Sequence, residues 1–477
     1  MVTRLVRASR IDFTSLRREL ELPTQFPLAA QHEADAAATQ RPAEPPGERR
    51  PDRTDLRLVT VDPAGSRDLD QAIGLERLGR GYRVCYAIAD VAAFVTPGGP
   101  LDAETWRRGE TVYLPDGRTP LHPPSLSEGA ASLLPGQPRP AVLWTIDLDA
   151  DGATRAVRVE RAIVRSGAQL DYVGAQAATT AGRLDEPIEL LPEVGRLLVA
   201  HGLARGAVNL PIPEQEVEPD DGGWRLVLRA RLPVEEWNAQ VSLLTGMAAA
   251  QIMLDGRVGV LRTMPAPDPT ALDRLRVAAA ALGIAWPDAT SVGQVVAAVD
   301  PASARGAAFV EHAAELMRGA GYTAFDGSAP AAATHGAVAA AYAHVTAPLR
   351  RLADRYATEV CLSLVGGRSL PEWVRTALPR LPETMAASNR RANAAERGAV
   401  DLAEATLLSG RIGEEFDAAV LDVDEHPRPD RAAAGVVALD DPPVRGRCEG
   451  ALPLGERVRV RLVRADPVHR QVLFEKA

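Results

Sequence analysis

Asp62, Asp68 and Asp70 fall within nine positions of one another in the stretch DPAGSRDLDQ. Carboxylates crowded in this way repel, and each resists ionisation until a cation neutralises the group. With oxygen donors alone and no His or Cys beside them, the set favours a hard ion, Mg2+ or Mn2+, over zinc. Such an ion turns a bound water into a nucleophile and stabilises negative charge on a reacting oxygen. Asp68 and Asp70 are two residues apart, so extended backbone projects them to one side, and a turn over Pro63–Ser66 can fold Asp62 back towards them. The plainer alternative is a solvated acidic loop at the end of a strand.

A second chemical element lies far downstream, in HVTAPLRRLADRY. Pro348 suits the first position of a helix, which places Arg350 in a first turn where free N–H groups and the helix dipole favour an anion. The alternative is an amphipathic core helix with Arg350 and Arg351 solvated.

These residues need a scaffold, and the pattern supplies one. LRLVTVD (56–62) and YRVCYAIAD (82–90) read as strands. From about residue 232 the pattern changes to alanine-rich helices, one of which has Asp268 as N-cap, Pro269 in the first turn and Gly283 as terminator. Beyond about Gly410, alternation returns in FDAAVLDVD and GERVRVRLVRADPVHRQVLFEKA, which predicts a small antiparallel barrel. Ahead of the first strand, Asp12 can cap a helix with Phe13, Leu16 and Leu20 on one face, and a second helix follows Pro27. The stretch Arg41–Asp52, rich in proline and charge, reads as a linker. DLDADG (147–152) imitates a calcium loop, but its twelfth position is Arg158 rather than glutamate. The Asp-Gly pair is read as a hairpin turn.

Composition narrows the function classes. A chain of 477 residues, 46% hydrophobic, is long enough for a large core and more than one domain. A net charge of −9 argues against coating nucleic acid by bulk electrostatics, without excluding a local basic channel. Lys476 is the only lysine, so every other basic residue is arginine, whose planar fork suits phosphate. Cys85, Cys361 and Cys448 are odd in number and far apart, which suggests neither a disulfide framework nor a zinc site and fits a reducing cytoplasm. No signal peptide or membrane span is expected, and no obligate protein partner is evident.

The blocks TVDPAGSRDLDQAI, YAIADVAAFVTPGGPLD, RRGETVYLPDGRTPLHPPSLSEGAASL and YAHVTAPLRRLADRY, in this order, resemble the RNB family, the catalytic domain of ribonuclease II and ribonuclease R. The resemblance implies an α+β fold: an RNB catalytic domain of mixed strands surrounded by helices (54–408), followed by a small C-terminal OB-fold β-barrel that binds RNA (409–477). A short helical N-terminal segment with a linker, read as a helix-turn-helix or a packing element, occupies 1–53. The implied activity is Mg2+-dependent hydrolysis of single-stranded RNA from the 3′ end to nucleoside 5′-monophosphates. Carried over by position, the acidic motif falls on Asp62, Asp68 and Asp70 as metal ligands, with Asp70 the least replaceable. Its fourth aspartate is replaced by Gln71, a neutral amide that is at most a weak ligand. Arg350 matches the phosphate-binding arginine, with Arg351 beside it. Tyr113 matches a tyrosine at the terminal nucleotides, or else is a core aromatic, and Glu396 matches a glutamate near the 3′-end pocket, or else is an exposed helical acid.

Three departures accompany the match. The family's base-stacking phenylalanine aligns with Leu210, and aromatics make up only 4% of the chain. The stretch ahead of the catalytic domain is too short for the family's cold-shock barrels, and its nine arginines face eight acids, which predicts packing rather than a basic face. In the tail, Arg457, Arg459 and Arg461 share one strand face and could meet RNA or form a solvated wall, while Phe416 and Phe474 are expected in the core. A second function class therefore stands beside the nuclease: an RNB-like protein weakened by Gln71 that binds RNA or regulates.

Overall fold

Strands Leu58–Asp62, Gln71–Leu78, Gly81–Ala89, Pro138–Leu148 and Thr154–Asp171 close into a five-stranded barrel in the computed structural model, which describes residues 11–40, 49–220, 223–424 and 433–477. Most of the stretch read as a linker, residues 41–48, lies outside the described residues, as do residues 1–10. The barrel strands pair antiparallel except at the closure, where the first runs parallel to the last and Asp62 stands beside Asp171. Both faces are covered, so period-two alternation sends Val84, Tyr86 and Ile88 into one apolar cluster and Cys85, Ala87 and Ala89 into another. The DLDADG stretch is the hairpin joining the fourth and fifth strands; Asp149 accepts hydrogen bonds from the N–H groups of Asp151 and Ala153, and Gly152 takes a positive φ of 88°.

Helices lie against this barrel. Pro233–Gly256 starts where Glu235 accepts the Leu232 N–H, and Val234, Val241 and Leu244 join the same cluster as Tyr86 and Ile88. At Gly246 this helix presses so closely on Tyr342 and Ala343 that a Cβ would stand 2.2 Å from the Tyr342 ring and 2.5 Å from the Ala343 carbonyl oxygen. That contact fixes the segment leading to Arg350. Helix Pro269–Ala281 begins and ends as the sequence predicts, with Asp268 accepting from Thr270 and Ala271 N–H and Gly283 at φ 69°.

Helix Leu352–Val365 is buried from Leu352 through Ser363. Its charged residues are held in ion pairs. Arg161 on the fifth strand binds Asp90 at 2.7 Å and Glu359 at 2.5 Å, and Arg355 binds Asp102 at 2.6 Å while donating to the Val95 carbonyl. Buried ion pairs resist displacement, since removing one member costs about 3–5 kcal/mol. The helix that follows Arg350 is thereby locked to the barrel.

The C-terminal strands Glu415–Val423, Ala434–Leu439, Arg445–Glu449, Arg457–Asp466 and Gln471–Lys476 form a second closed barrel. The all-antiparallel expectation needs one correction. The third strand pairs parallel with the fifth, because the fourth returns across the barrel to the first and leaves the fifth to close the gap from the same direction. This order, first-second-third-fifth-fourth, is that of the OB fold. Phe416 and Phe474 are buried and meet edge to face at 6.3 Å.

The N-terminal helices Thr14–Glu19 and Leu28–Thr39 enter different clusters. Phe13 and Leu16 pack with the C-terminal barrel and the long helix Leu381–Leu408, and Ala30 and Ala34 pack against the first barrel. Among the described residues no helix is long and apolar enough to cross a membrane, and the three cysteines are free and buried.

Candidate active site

Asp62 ends the first barrel strand, and the turn after it closes through the Ser66 N–H on the Pro63 carbonyl, with Gly65 at φ 81°. Positive φ favours glycine there. The chain then runs extended through Leu69, whose side chain is fully buried and whose N–H is held by the Ser132 hydroxyl. Alternation about this anchor turns Asp68 and Asp70 to the opposite side.

Asp70 is 1% exposed. Its Oδ1 accepts the Leu349 N–H at 2.8 Å and its Oδ2 accepts Arg350 Nε at 2.8 Å. Burial raises its pKa to about 6, against the pull of Arg350. Asp62 is raised to about 7, by burial and then by the neighbouring Asp70 charge, and its Oδ2 is buried without a hydrogen-bond partner among the described residues. Asp68 binds Arg118 Nη1 at 2.7 Å through Oδ1 and accepts the Tyr113 hydroxyl at 3.1 Å through Oδ2. The other fork of Arg118 reaches Glu128 at 2.5 Å. With Asp68 and Asp70 each turned to an arginine, no group of three or more His, Cys, Asp or Glu side chains forms a ready metal cage among the described residues.

Gln71 donates through Nε2 to the Thr346 carbonyl. Its amide nitrogen therefore ties the acidic segment to the chain leading into Arg350, and only its oxygen remains for a cation.

The placement of Arg350 corrects one expectation. Pro348 does not open a helix; Pro348–Arg350 form a turn, Arg351 is extended at φ −133° and ψ 127°, and the helix begins at Leu352. Long-range contacts hold this geometry. Asp70 takes the Leu349 N–H, Asp354 takes the Ala347 N–H, and Arg351 bridges to Glu110 as a short antiparallel pair. Arg350 stands just ahead of the helix with 43% of its side chain exposed. Only its Nε is engaged; neither terminal nitrogen has a hydrogen-bond partner among the described residues. Burial pulls its pKa down, but Asp70 and Tyr113 together raise it, so the guanidinium stays charged. Arg351 differs, because its Nε and Nη2 are both taken by Asp354 at 2.9 and 2.8 Å.

Tyr113 lies on the short hairpin Val112–Leu114 and Gly117–Thr119, with Val112 and Leu114 buried and Tyr113 48% exposed. It is an exposed residue whose hydroxyl reaches Asp68, rather than a core aromatic. Arg118, which sequence reasoning missed, is its cross-strand partner, and directly opposed residues share a face. The PDG turn between the strands was the available signal. Tyr86 and Tyr172 were also missed; Asp62 contributes to the raised pKa of both, after burial. Glu396 is exposed on the long helix, and no hydrogen bond or ion pair joins it to the other site residues. Leu210 packs against the cluster of Leu275, Val296 and Phe309, away from any stacking role.

Comparison with known proteins completes the picture. The RNB domain matches residues 50–364, more than half of the chain, and the RNase II-type exonuclease C-terminal S1 domain matches residues 414–477. The exosome complex exonuclease RRP44 homolog A of Arabidopsis thaliana is 30% identical over 383 residues, covering 74% of this chain and 40% of that protein. Ribonuclease R of Aquifex aeolicus is 27% identical over 420 residues, covering 84% and 58%. The chain thus spans roughly half the length of these curated relatives. The apo form of Mycoplasma genitalium RNase R superposes with a TM-score of 0.84 at 19% identity, covering 98% of this chain and 77% of that one, and the same protein has been solved with ribose-methylated single-stranded RNA and with double-stranded RNA. Yeast Ssd1, a pseudonuclease, superposes at 0.70 with 16% identity, covering 88% and 53%. The RNB domain match over more than half of the chain, with the S1 domain match on a second barrel of OB order, shows that the chain belongs to the RNB family.

Proposed function

We propose that this protein is a divalent-metal-dependent hydrolase that degrades single-stranded RNA from the 3′ end to nucleoside 5′-monophosphates. One observation carries the reading: Arg350 rests its Nε on buried Asp70 while its outer fork stays open, beside an Asp62 oxygen that is buried and unpartnered. An unpartnered buried carboxylate oxygen, in an all-oxygen set, fits a hard cation. Asp62, Asp68 and Asp70 are the residues that would hold Mg2+ or Mn2+, with the Gln71 oxygen as a weak fourth donor. The ion supplies an activated water and charge neutralisation at the phosphate.

The chain's own groups supply the rest. The free fork of Arg350 is matched to two phosphate oxygens, and its anchorage on Asp70 fixes its direction before substrate arrives. Arg118 holds the Asp68 carboxylate in place through its 2.7 Å contact. Tyr113 offers an exposed ring for a terminal base while its hydroxyl stays on Asp68. Arg351 is assigned to structure, since Asp354 already occupies it. Glu396 is assigned a ribose hydroxyl contact on the strength of its motif alone. The domain limits proposed are those of the motifs, 54–408 and 409–477, and the reduced cysteines fit the cytoplasm.

A second reading has one observation in its favour. Gln71 removes a charge from the metal set and is tied to Thr346, and the fold is shared with a pseudonuclease. In that reading the protein binds RNA without efficient cleavage. Incubating 5′-labelled poly(A) with Mg2+ or Mn2+ separates the two. The nuclease reading expects metal-dependent shortening that Asp70→Asn removes; binding without shortening in either metal selects the second.

A further inference from the structure

We propose that the N-terminal segment acts as a strap that sets the position of the Tyr113 hairpin, with Arg17 as its positioning residue. The inference rests on the nuclease reading of the cleft. Arg17 Nη1 and Nη2 grip Asp116 Oδ2 and Oδ1 at 2.7 and 2.6 Å, and Asp116 is at the tip of the hairpin that carries Tyr113 and Arg118. On the same short helix, Glu19 accepts Arg470 Nη2 at 2.8 Å from the C-terminal barrel. A bidentate arginine–carboxylate pair fixes direction as well as distance.

Packing under the helix points the same way. Phe13 and Leu16 are 0% and 2% exposed and share one cluster with Val112 and Leu114, the residues that flank Tyr113. Val112 and Leu114 pack on the long helix on which the strap also rests, so a shift of the strap against that helix changes how far Tyr113, which alternates with them, projects. The long helix admits Leu16 through Gly398, where a Cβ would stand 2.8 Å from Leu16 Cδ1. Phe13 meets Trp224 edge to face at 5.5 Å. The hairpin is thus held on one side by the strap and on the other by Asp68, which Tyr113 and Arg118 both contact. Moving the tip moves the surface against which the last nucleotides rest, and with it the distance between that surface and Arg350. The quantities it governs are RNA affinity and the length at which digestion stops.

The test compares the full-length protein with Arg17→Ala, Asp116→Ala, Arg17→Lys and the charge-swapped pair Arg17→Asp with Asp116→Arg. Affinity for a single-stranded RNA carrying 2-aminopurine at its 3′ end is measured in EDTA, and kcat, KM and end-product length are measured with Mn2+. Because the pair is partly exposed, each alanine variant is expected to weaken metal-free affinity and raise KM about threefold, with kcat within about twofold of the parent. The end product should change in length, Arg17→Lys should recover only part of the loss, and the swapped pair should recover most of it. The strap is overturned if the alanine variants match the parent in affinity and product length, if kcat falls while KM holds, or if the swapped pair stays as impaired as the singles. Circular dichroism and Tm identify a variant that fails to fold; Arg17→Lys then carries the comparison. A parent protein that shortens no RNA in either metal ends the nuclease reading, and the metal-free affinities still decide for or against the strap.

Discussion

The two five-stranded barrels carry the same charged residue types and use them in opposite ways. On the C-terminal barrel, Arg457, Arg459 and Arg461 point outward from one strand and each meets exposed carboxylates: Asp440, Asp417 with Glu415, and Glu415 with Glu475. At the first barrel, Asp62 keeps a buried oxygen with no hydrogen-bond partner among the described residues, and the arginine docked on buried Asp70 keeps an open fork. Exposed pairs contribute about 0–1 kcal/mol each and leave little field for a ligand. A buried, under-neutralised cluster has its desolvation cost relieved when a cation and an anion arrive together. The same contrast operates one residue apart, where Arg351 is closed by Asp354 and Arg350 is not. Arg350 therefore differs from these arginines in the number of donors left unsatisfied, which is the ground on which it is proposed as the phosphate ligand.

Asp70→Asn tests the comparison most severely. It removes the charge that orients Arg350 and part of the cation set, and it should lower the rate of RNA shortening by at least about 100-fold, measured with 5′-labelled poly(A) in Mn2+. Next is Arg350→Lys, which keeps the charge and loses the fork that joins Asp70 to phosphate. We expect a loss of about tenfold or more in kcat/KM, because a point charge cannot do both. A fully active lysine variant would contradict the distinction between open and closed arginines.

Glu404 sharpens the comparison where the long helix meets the C-terminal barrel. It accepts the Arg445 N–H and the Gln215 amide, and burial raises its pKa to about 7. A carboxyl raised in the folded state stabilises fully below its unfolded value near 4.5 and loses that contribution as pH rises through about 7. Glu404→Gln should therefore gain on the parent as pH climbs from 5 to 8, by a few °C in Tm, and show a flatter thermal profile across that window. The smallest effect is expected at the closed wall. Arg459→Ala should change RNA affinity by less than about twofold and leave the salt dependence of binding unaltered, since its charge is already matched. A marked drop in salt dependence would make that face an RNA surface.

Legibility in the sequence follows the range of the forces involved. The aspartates were readable because spacing by two and a proline-glycine turn are local, and Leu69 between Asp68 and Asp70 behaves as alternation requires. The DLDADG hairpin, the Asp268 cap and the core positions of Phe416 and Phe474 are local in the same sense. The helix after Arg350 was misplaced because Pro348 satisfies the rule for a helix start, while Asp70, Glu110 and Asp354 capture the backbone around it. Asp70 and Glu110 lie far from that segment in the chain. Arg118 was missed for the same reason; its role appears only when Tyr113 is paired across a hairpin. The parallel pair in the C-terminal barrel is set by closure, to which strand alternation is blind.

The central claim is that the open fork of Arg350 and the buried carboxylates form a metal-dependent site for the 3′ end of RNA. It is tested most directly by following one single-stranded RNA labelled at its 3′ end and, in parallel, at its 5′ end, with Mn2+ and with EDTA. The account predicts that the 3′ label appears at once as a nucleoside 5′-monophosphate while the 5′ label descends in a ladder, both only with metal and neither in Asp70→Asn. Internal fragments from either label, or RNA that is bound and left intact, would contradict it.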